Sequence, residues 1–262
     1  MEEGKVYRHD FFAEHASGSS RSAAVVVPLV LSRVPVNSVV DVGCGIGPWA
    51  AEFLAQGVPD VWGIDGDYVD RAQLRIPAER FAARDLSKPL QFDRAFDLAV
   101  CLEVGEHLPK SRAAGLVADL TSLTPCVLFS AAVPRQGGAH HINEQYVPYW
   151  VDLFAKQGYE GVDPIRPWIL GNDAVEWWYQ QNIVMFAAPN HPLLAKGFPK
   201  PQTIIHQNLY EDLYARLTVG TLARVLPAAV GRSIRYRLGI SSKRPLKSAP
   251  PAGTRDAQSN FA

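Results

Sequence analysis

Residues 40–49, VDVGCGIGPW, decide the fold of this chain. The apolar residues before the first glycine predict the end of a buried strand, residues 38–42, and residues 49–55 predict a helix with one apolar side. Glycines between a strand and a helix allow a tight turn and a close approach of the backbone to a ligand. Because the following helix presents free N–H groups, this stretch predicts a strand–turn–helix unit that binds a small molecule.

Outward from this unit, short apolar runs alternate with helical patterns, which is typical of a parallel sheet wrapped by helices. The runs predict strands at residues 38–42, 61–64, 81–82, 96–102, 126–132 and 182–187. The helical patterns predict helices at residues 49–55, 112–123 and 146–157, and two helical segments within residues 207–238 that are broken at Pro227 and Gly231.

The spacing of the glycines distinguishes two kinds of cofactor. A dinucleotide site has the pattern G-x-G-x-x-G, whereas Gly43, Gly45 and Gly47 follow G-x-G-x-G and Pro48 takes the place of the third glycine. Asp41 stands two residues before the first glycine, where its carboxylate repels a pyrophosphate and attracts a cation. The turn therefore favours S-adenosylmethionine, which carries an ammonium and a sulfonium group, over NAD.

Two further acidic residues end predicted strands. Asp65 ends the second strand, 22 residues after Gly43, which suits hydrogen bonds from two ribose hydroxyls. Asp85 follows the third strand, where its carboxylate can accept a hydrogen bond from an adenine amino group. Each feature alone is often a plain turn or a helix cap, but three on successive strand ends together predict a cofactor site.

At this point the sequence resembles the class I S-adenosylmethionine-dependent methyltransferases over about residues 20–190. The matching stretches are residues 41–47, 63–67, 83–86 and 96–108. Residues 129–134, 141–145 and 178–182 look like a bacterial subgroup that acts on small molecules or glycans. The resemblance implies an α/β fold with a Rossmann-like, seven-stranded, mostly parallel sheet, an antiparallel last strand and helices on both faces.

The resemblance also implies which residues hold the methionine end of the cofactor. Asp41, Gly43 and Gly45 line that end, and Glu103, at the end of the fourth strand, faces either the methionine part or the substrate. Gly105 stands where the family often has alanine, a departure that we expect to be neutral.

The nucleoside end of the cofactor involves three more residues by the same resemblance. Asp65 holds the ribose, Asp85 accepts from the adenine amino group, and Leu86 flanks the adenine ring. Together with the methionine-end residues, these positions predict S-adenosylmethionine as the cofactor.

Methyl transfer to a hydroxyl needs a general base, and histidine is the usual one. His107 lies just beyond the fourth predicted strand, and His140 and His141 lie just beyond the fifth. Both loops are at the C-terminal edge of the sheet, beside the cofactor crevice. We therefore expect His141 to be the base, with His107 as the second candidate and His140 as the third.

A divalent ion is an alternative source of activation at the same place. Glu103, Glu106 and His107, with His141 beyond the fifth strand, offer oxygen and nitrogen ligands for such an ion. Some RNA and quinone methyltransferases resemble this arrangement. The plainer interpretation is that Glu106 and His107 cap and orient the next helix, so the metal question stays open.

Composition excludes several classes of protein. The 262 residues are 47% hydrophobic and include 26 aromatic residues, which excludes disorder throughout, and three scattered cysteines exclude a disulfide scaffold. Two of the cysteines fall within apolar runs and are expected to be buried free thiols. A net charge of zero argues against broad binding of nucleic acid, and the lack of a targeting segment predicts a cytoplasmic protein.

The charge is unevenly distributed along the chain. Residues 201–262 carry a net charge of +6 and residues 1–200 a net charge of −6. We expect a methyltransferase domain over residues 1–200, a basic helical extension over 201–240 and a disordered tail over 241–262. The extension is a solvated surface by default, and weak binding to a membrane surface or to a protein are its alternatives.

The sequence as a whole predicts an O-methyltransferase that uses S-adenosylmethionine and a histidine base, and whose acceptor is a sugar, glycan or other small metabolite. One alternative is a metal-assisted methyltransferase that acts on RNA ends. Another is a non-catalytic module that keeps the fold for binding within a biosynthetic assembly. A nicotinamide oxidoreductase ranks last because of Asp41 and Pro48.

Overall fold

The computed structural model describes residues 9–215 and 218–238. The strands within these residues are β1 (Ser38–Val42), β2 (Asp60–Asp65), β3 (Phe81–Ala83), β4 (Leu98–Leu102), β5 (Cys126–Ser130), β6 (Glu160–Val162) and β7 (Val184–Ala187). They form one sheet in the order β3-β2-β1-β4-β5-β7-β6. Strands β1 to β5 pair in parallel, and β7 runs antiparallel to both β5 and β6. The predicted seven-stranded sheet with an antiparallel last strand is therefore confirmed.

The α-helices within the described residues are α1 (His9–Arg33), α2 (Pro48–Ala55), α3 (Ala113–Leu123), α4 (Val147–Lys156), α5 (Arg166–Ile169), α6 (Trp177–Asn182), α7 (Gln207–Ala215) and α8 (Val219–Arg237). Single 3-10 turns occur at Arg71–Gln73, Ala78–Arg80, Gly105–His107, Lys110–Arg112 and Leu194–Lys196.

Two hydrophobic cores lie on the two faces of the sheet, because side chains alternate between faces along each strand. On β1, Val39 belongs to one core and Val40 to the other. Helices α1 and α2 cover the first face, and α3 and α4 cover the second. In the second core the rings of Phe154 and Phe186 stack with centroids 3.8 Å apart. The predicted helices on both faces are confirmed.

The sequence pattern is wrong about where proline interrupts a helix. Helix α8 continues through Pro227 and Gly231, and Thr218, the residue before it, is not helical. Helix α1 likewise contains Pro28. A proline inside a helix costs about 3 kcal/mol, and the remaining backbone hydrogen bonds of a helix of 19 or 25 residues outweigh that cost.

The chain divides into two compact units, Met1–Tyr210 and Glu211–Ala262. The sheet belongs to the first unit and α8 to the second. The predicted tail, residues 241–262, lies outside the described residues. Among the described helices, none is long and apolar enough to cross a bilayer.

Candidate functional site

The glycine turn follows β1 in a backbone conformation that favours glycine. Gly43, Gly45 and Gly47 have φ angles of +80°, +55° and +85°, a region that costs other residues free energy. A Cβ on Gly43 would lie only 2.3 Å from the Val104 side chain. The turn therefore packs against the segment that follows β4.

Asp65, at the end of β2, ties this turn to the neighbouring strand. Its Oδ2 accepts a hydrogen bond of 2.6 Å from the Gly45 N–H. Its Oδ1 accepts one of 2.6 Å from the Gly66 N–H and another from the Tyr68 hydroxyl. Burial raises the pKa of Asp65, although these hydrogen bonds favour its ionised form. The carboxylate is thus fixed at the mouth of the turn.

Asp41, inside β1, is buried, and its Oδ2 has no hydrogen-bond partner. Burial raises its pKa to about 8, and the nearby Asp65 acts in the same direction. An unpartnered buried carboxyl oxygen is costly unless a ligand or a proton satisfies it. Asp41 is therefore largely protonated at neutral pH in the ligand-free protein.

Glu103 follows β4 in a left-handed conformation with φ +54°. Its backbone N–H donates to the carbonyl and the hydroxyl oxygen of Ser130, each at 3.1 Å. Its side chain accepts hydrogen bonds from Gln136 Nε2 at 3.0 Å and from Asn182 Nδ2 at 3.1 Å. Two side-chain amides, which the sequence patterns did not identify, thus hold this half-buried carboxylate in place.

The amides that hold Glu103 belong to a larger buried network. Gln136 Oε1 accepts from Asn182 Nδ2 at 2.9 Å and from Gln181 Nε2 at 3.1 Å. Gln181 Oε1 in turn accepts from the His206 backbone N–H at 2.8 Å. The network joins the loop after β5, helix α6 and the segment that precedes α7.

The fourth carboxyl of the group, that of Glu106 in the turn after β4, is fully buried. Its Oε1 accepts a hydrogen bond from the Ala132 N–H at 3.2 Å, while Oε2 has no partner. Burial raises its pKa well above the usual value, and the Glu103 carboxylate adds to this effect. Within residues 9–215 and 218–238, no lysine or arginine forms an ion pair with Asp41, Asp65, Glu103 or Glu106. Such a group of carboxyls fits a cationic ligand.

The histidines of the two loops lie side by side. The rings of His107 and His141 meet edge to face, with centroids 4.9 Å apart. Burial lowers the pKa of His107 to about 4, and His141 acts in the same direction, so His107 is neutral at physiological pH. His140 is exposed and has a φ of +58°. The structure therefore brings two of the three predicted histidines together.

A glutamate orients His141. The His141 Nδ1 lies 3.2 Å from Glu144 Oε1. Glu144 is itself fixed, because its carboxylate accepts hydrogen bonds from the backbone N–H groups of Arg135 at 2.6 Å and Gly137 at 2.8 Å. Gly138 leaves room for the imidazole, since a Cβ there would lie 2.4 Å from His141 Nε2. The arrangement resembles the paired base and orienting carboxylate of acid–base sites.

Comparisons with known proteins bear on this site and its fold. Residues 10–125 match a family model described as a methyltransferase domain. The chain carries an S-adenosylmethionine-dependent methyltransferase domain. Among curated proteins, no sequence matches this chain.

Solved structures of similar fold include three methyltransferase-fold proteins. Magnesium protoporphyrin IX methyltransferase from Synechocystis PCC 6803, with bound SAM, is 19% identical with a TM-score of 0.50, over 70% of this chain and 85% of that one. SAM-bound CalS10, an amino pentose methyltransferase from Micromonospora echinaspora, is 17% identical with a TM-score of 0.52, over 69% and 97%. DesVI from Streptomyces venezuelae is 15% identical with a TM-score of 0.53, over 72% and 99%. These identities show a common fold.

The predicted adenine-side residues of this methyltransferase lie in a different environment from the buried carboxyls. Asp85 is exposed, and its carboxylate accepts from Ser87 N–H at 2.9 Å and Ser87 Oγ at 2.6 Å and pairs with Lys88 at 2.9 Å. The hydrogen bonds from Ser87, and next the contact with Lys88, lower the pKa of Asp85 to about 2. Leu86 is half-buried against the second core. Asp85 is thus placed after β3 as predicted, with its carboxylate engaged in its own turn.

Two other features of the methyltransferase refine the sequence predictions. The glycine at position 105 is not a neutral departure from the family's alanine. A Cβ there would lie 2.6 Å from the buried Trp150 ring, so an alanine requires that ring to move. The three cysteines, Cys44, Cys101 and Cys126, are free and buried, which agrees with the prediction.

Proposed function

We propose that this methyltransferase transfers a methyl group from S-adenosylmethionine to a hydroxyl of a sugar, glycan or other small metabolite, with His141 as the general base. The observation that carries the O-methylation is the His141–Glu144 pair, which backbone N–H groups hold in place near the buried Glu106 carboxyl. A base of this kind serves a hydroxyl, whose proton must leave near the transition state.

The residues of the crevice fit the cofactor. The carboxyls lack a protein cation in the described part of the chain, and Asp41 Oδ2 lacks a hydrogen-bond partner there. A ligand with an ammonium and a sulfonium group supplies both the missing positive charge and a hydrogen-bond donor. In the proposed site Asp41, Gly43 and Gly45 hold the methionine part.

We assign the two ends of the cofactor to the two sides of β1, and the strand order supports this. Asp65 ends β2 on one side, and Glu103 follows β4 on the other. If Asp65 holds the ribose, the amino-acid end extends toward Glu103, whose carboxylate Gln136 and Asn182 orient. Asp85 is the partner proposed for the adenine amino group, which requires its turn to open, and Leu86 flanks the ring.

The chemistry divides between the cofactor and the chain. Bound S-adenosylmethionine supplies an activated methyl group for in-line displacement. The chain aligns the acceptor and excludes water. Glu144 accepts a hydrogen bond from His141 Nδ1. His141 Nε2 is then unprotonated and accepts the proton of the acceptor hydroxyl. His107, kept neutral by burial, is the second candidate for this role, and the exposed His140 the third.

The acceptor class rests on similarity in fold to a known sugar enzyme. CalS10 is an amino pentose methyltransferase, and 97% of its chain is covered by the alignment with this one. We therefore propose a sugar or a glycan as the first acceptors to test.

The first experiment is calorimetric titration of the protein with S-adenosylhomocysteine, with NAD as the control ligand. Micromolar binding of S-adenosylhomocysteine alone supports the cofactor assignment, and no binding of either ligand supports a non-catalytic module instead. Transfer of labelled methyl to a panel of sugars and nucleotide sugars then tests the acceptor. His141→Ala is expected to lower turnover at least a hundredfold with cofactor affinity retained, whereas His191→Ala, outside the site, retains both.

A second candidate is metal-assisted methyl transfer, as to RNA ends. It is favoured by one observation: ligand atoms of Glu106, His107 and His141 lie within 4.8 Å of one another. Glu103 is not part of this cluster, because Gln136 and Asn182 take up its carboxylate. The net charge of −6 on residues 1–200 disfavours RNA.

Metal binding decides between the two candidates without an acceptor. Titration of Mg²⁺, Mn²⁺ and Zn²⁺ is expected to show binding that His107→Ala removes, if the metal candidate is correct. If no metal ion binds, or if the parent protein and His107→Ala bind it equally, the histidine-base mechanism is supported.

A further inference from the structure

Helix α8 and Leu238, the residue that directly follows it, expose a row of apolar side chains. Leu226, Val230, Ile234 and Leu238 are 60%, 47%, 51% and 67% exposed. They recur every four residues, a spacing that places them along one side of an α-helix. Scattered apolar residues are ordinary on a surface, but a continuous row is typical of a binding face.

The charges around this row all have one sign. Residues 213–255 contain nine lysines and arginines and no aspartate or glutamate. Arg235 is exposed and, one residue after Ile234, points about 100° away from it around the helix. The helix therefore carries an apolar side and cationic groups beside it, in a segment without acidic residues.

We propose that α8 binds an anionic lipid surface, with the apolar row against the acyl chains and the arginines against the headgroups. A helix of this composition lies in the plane of the membrane interface, and no described helix is suited to cross the bilayer. An anionic membrane is the partner that satisfies both the apolar row and the positive charge.

Other partners fit these observations less well. Nucleic acid engages cationic groups but leaves four exposed aliphatic side chains in water. A second copy of the chain covers the row, but it brings a like-charged segment against this one. Charge complementarity thus selects the anionic lipid surface.

Vesicle flotation with the full-length protein tests this inference. We expect binding to vesicles of phosphatidylcholine mixed with phosphatidylglycerol, loss of binding with phosphatidylcholine alone, and weaker binding as NaCl is raised. Arg235→Glu changes the charge by two units and is expected to weaken binding about tenfold or more.

Ile234→Asp removes the apolar row at its centre and is expected to abolish flotation. Leu170→Asp is the matched control, because Leu170 is 54% exposed and lies in the first unit; it is expected to float like the parent protein. Both sites are exposed, so circular dichroism should show folded variants, and both should retain affinity for S-adenosylhomocysteine.

Three results overturn the inference. Equal flotation with and without phosphatidylglycerol would show that the arginines do not contribute to binding. Flotation that Ile234→Asp leaves unchanged would show that α8 is not the binding element. Absence of flotation together with a concentration-dependent dimer that Ile234→Asp disrupts assigns the row to a second copy of the chain.

Discussion

The crevice and helix α8 carry opposite charges in opposite settings. The crevice gathers four carboxyls from separate strands and loops: Asp41, Asp65 and Glu106 are buried and Glu103 is half-buried. None of them forms an ion pair with a lysine or arginine among the described residues. Helix α8 lies in a contiguous basic segment, where Arg235 and Arg237 are exposed. Buried charges interact strongly with one small ligand, whereas exposed charges are screened by salt and act collectively on a large surface.

The difference also affects stability. Each buried carboxyl is desolvated, so the ligand-free crevice costs folding free energy until a proton or a cation enters. The exposed charges of α8 carry no such cost. Substitutions in the crevice should therefore alter ligand affinity and stability together, whereas those on α8 should alter surface binding alone.

The largest expected effect is that of Asp65→Ala. This carboxylate holds the Gly45 and Gly66 N–H groups and is the proposed ribose ligand. Loss of several charge-assisted hydrogen bonds is expected to weaken S-adenosylhomocysteine binding about a hundredfold. Calorimetry measures this, with Asp67→Ala as the control because Asp67 is exposed. Unchanged affinity for Asp65→Ala would falsify the ribose assignment.

The next effect concerns Glu103 and the amides that orient it. Glu103→Gln and Asn182→Ala are each expected to weaken S-adenosylhomocysteine about tenfold, because the ammonium loses a fixed carboxylate. Affinity for 5′-methylthioadenosine, which lacks the amino-acid part, should stay within about twofold. Titration of both ligands gives this selectivity.

Gln180→Ala is the matched control for Asn182→Ala. Gln180 is also a buried amide of α6, but its hydrogen bonds go to Gly171, Asn172 and Val175. It is expected to lower stability and leave the selectivity between the two ligands unchanged. If Asn182 acts through Glu103, the double variant binds S-adenosylhomocysteine no more weakly than Glu103→Gln alone. Equal losses for both ligands would mean that Asn182 is purely structural.

A smaller effect is the pH dependence of stability that Asp41 causes. Its pKa rises from an unfolded value of 3.8 to about 8 on folding, so the folded state binds the extra proton. Between these pH values the free energy of unfolding falls as pH rises. Asp41→Asn is expected to match the ligand-free parent in thermal stability near pH 4 and to exceed it by several degrees at pH 9. Parallel melting curves at the two pH values would argue against a protonated Asp41.

The smallest expected effect is that of removing residues 216–262. This deletion takes away α8 and should leave S-adenosylhomocysteine affinity within about twofold, because the crevice belongs to the first unit. Deletion from residue 201 is expected to weaken binding, since it removes His206, which donates to Gln181, and the buried Leu209. Equal affinities for the two deletions would contradict a role for this network.

Much of the fold could be predicted from sequence because hydrophobic periodicity is local. The runs at 38–42 and 126–132 and the helix at 112–123 correspond to β1, β5 and α3. Strand β6 has three residues and α6 six, which are too short for a period to show. Helix α1 was missed because Pro28 interrupts its apolar run.

Site prediction from sequence depended on residue type and spacing. The glycine turn, Asp65 and the pair of histidines follow strand ends, so local patterns indicated them. Gln136 and Asn182 contact Glu103 across 33 and 79 residues, a distance along the chain that no local pattern covers. Their amides give no chemical signal in a sequence, since glutamine and asparagine are more often on the surface.

Cys44 gives the glycine turn a native reporter group. The residue is 6% exposed, and burial together with Asp41 and Asp65 raises the pKa of its thiol well above the ordinary value. The thiolate that alkylating reagents attack is therefore scarce while the turn is closed. The rate of alkylation at Cys44 then measures how often this turn opens, without any substitution in the chain.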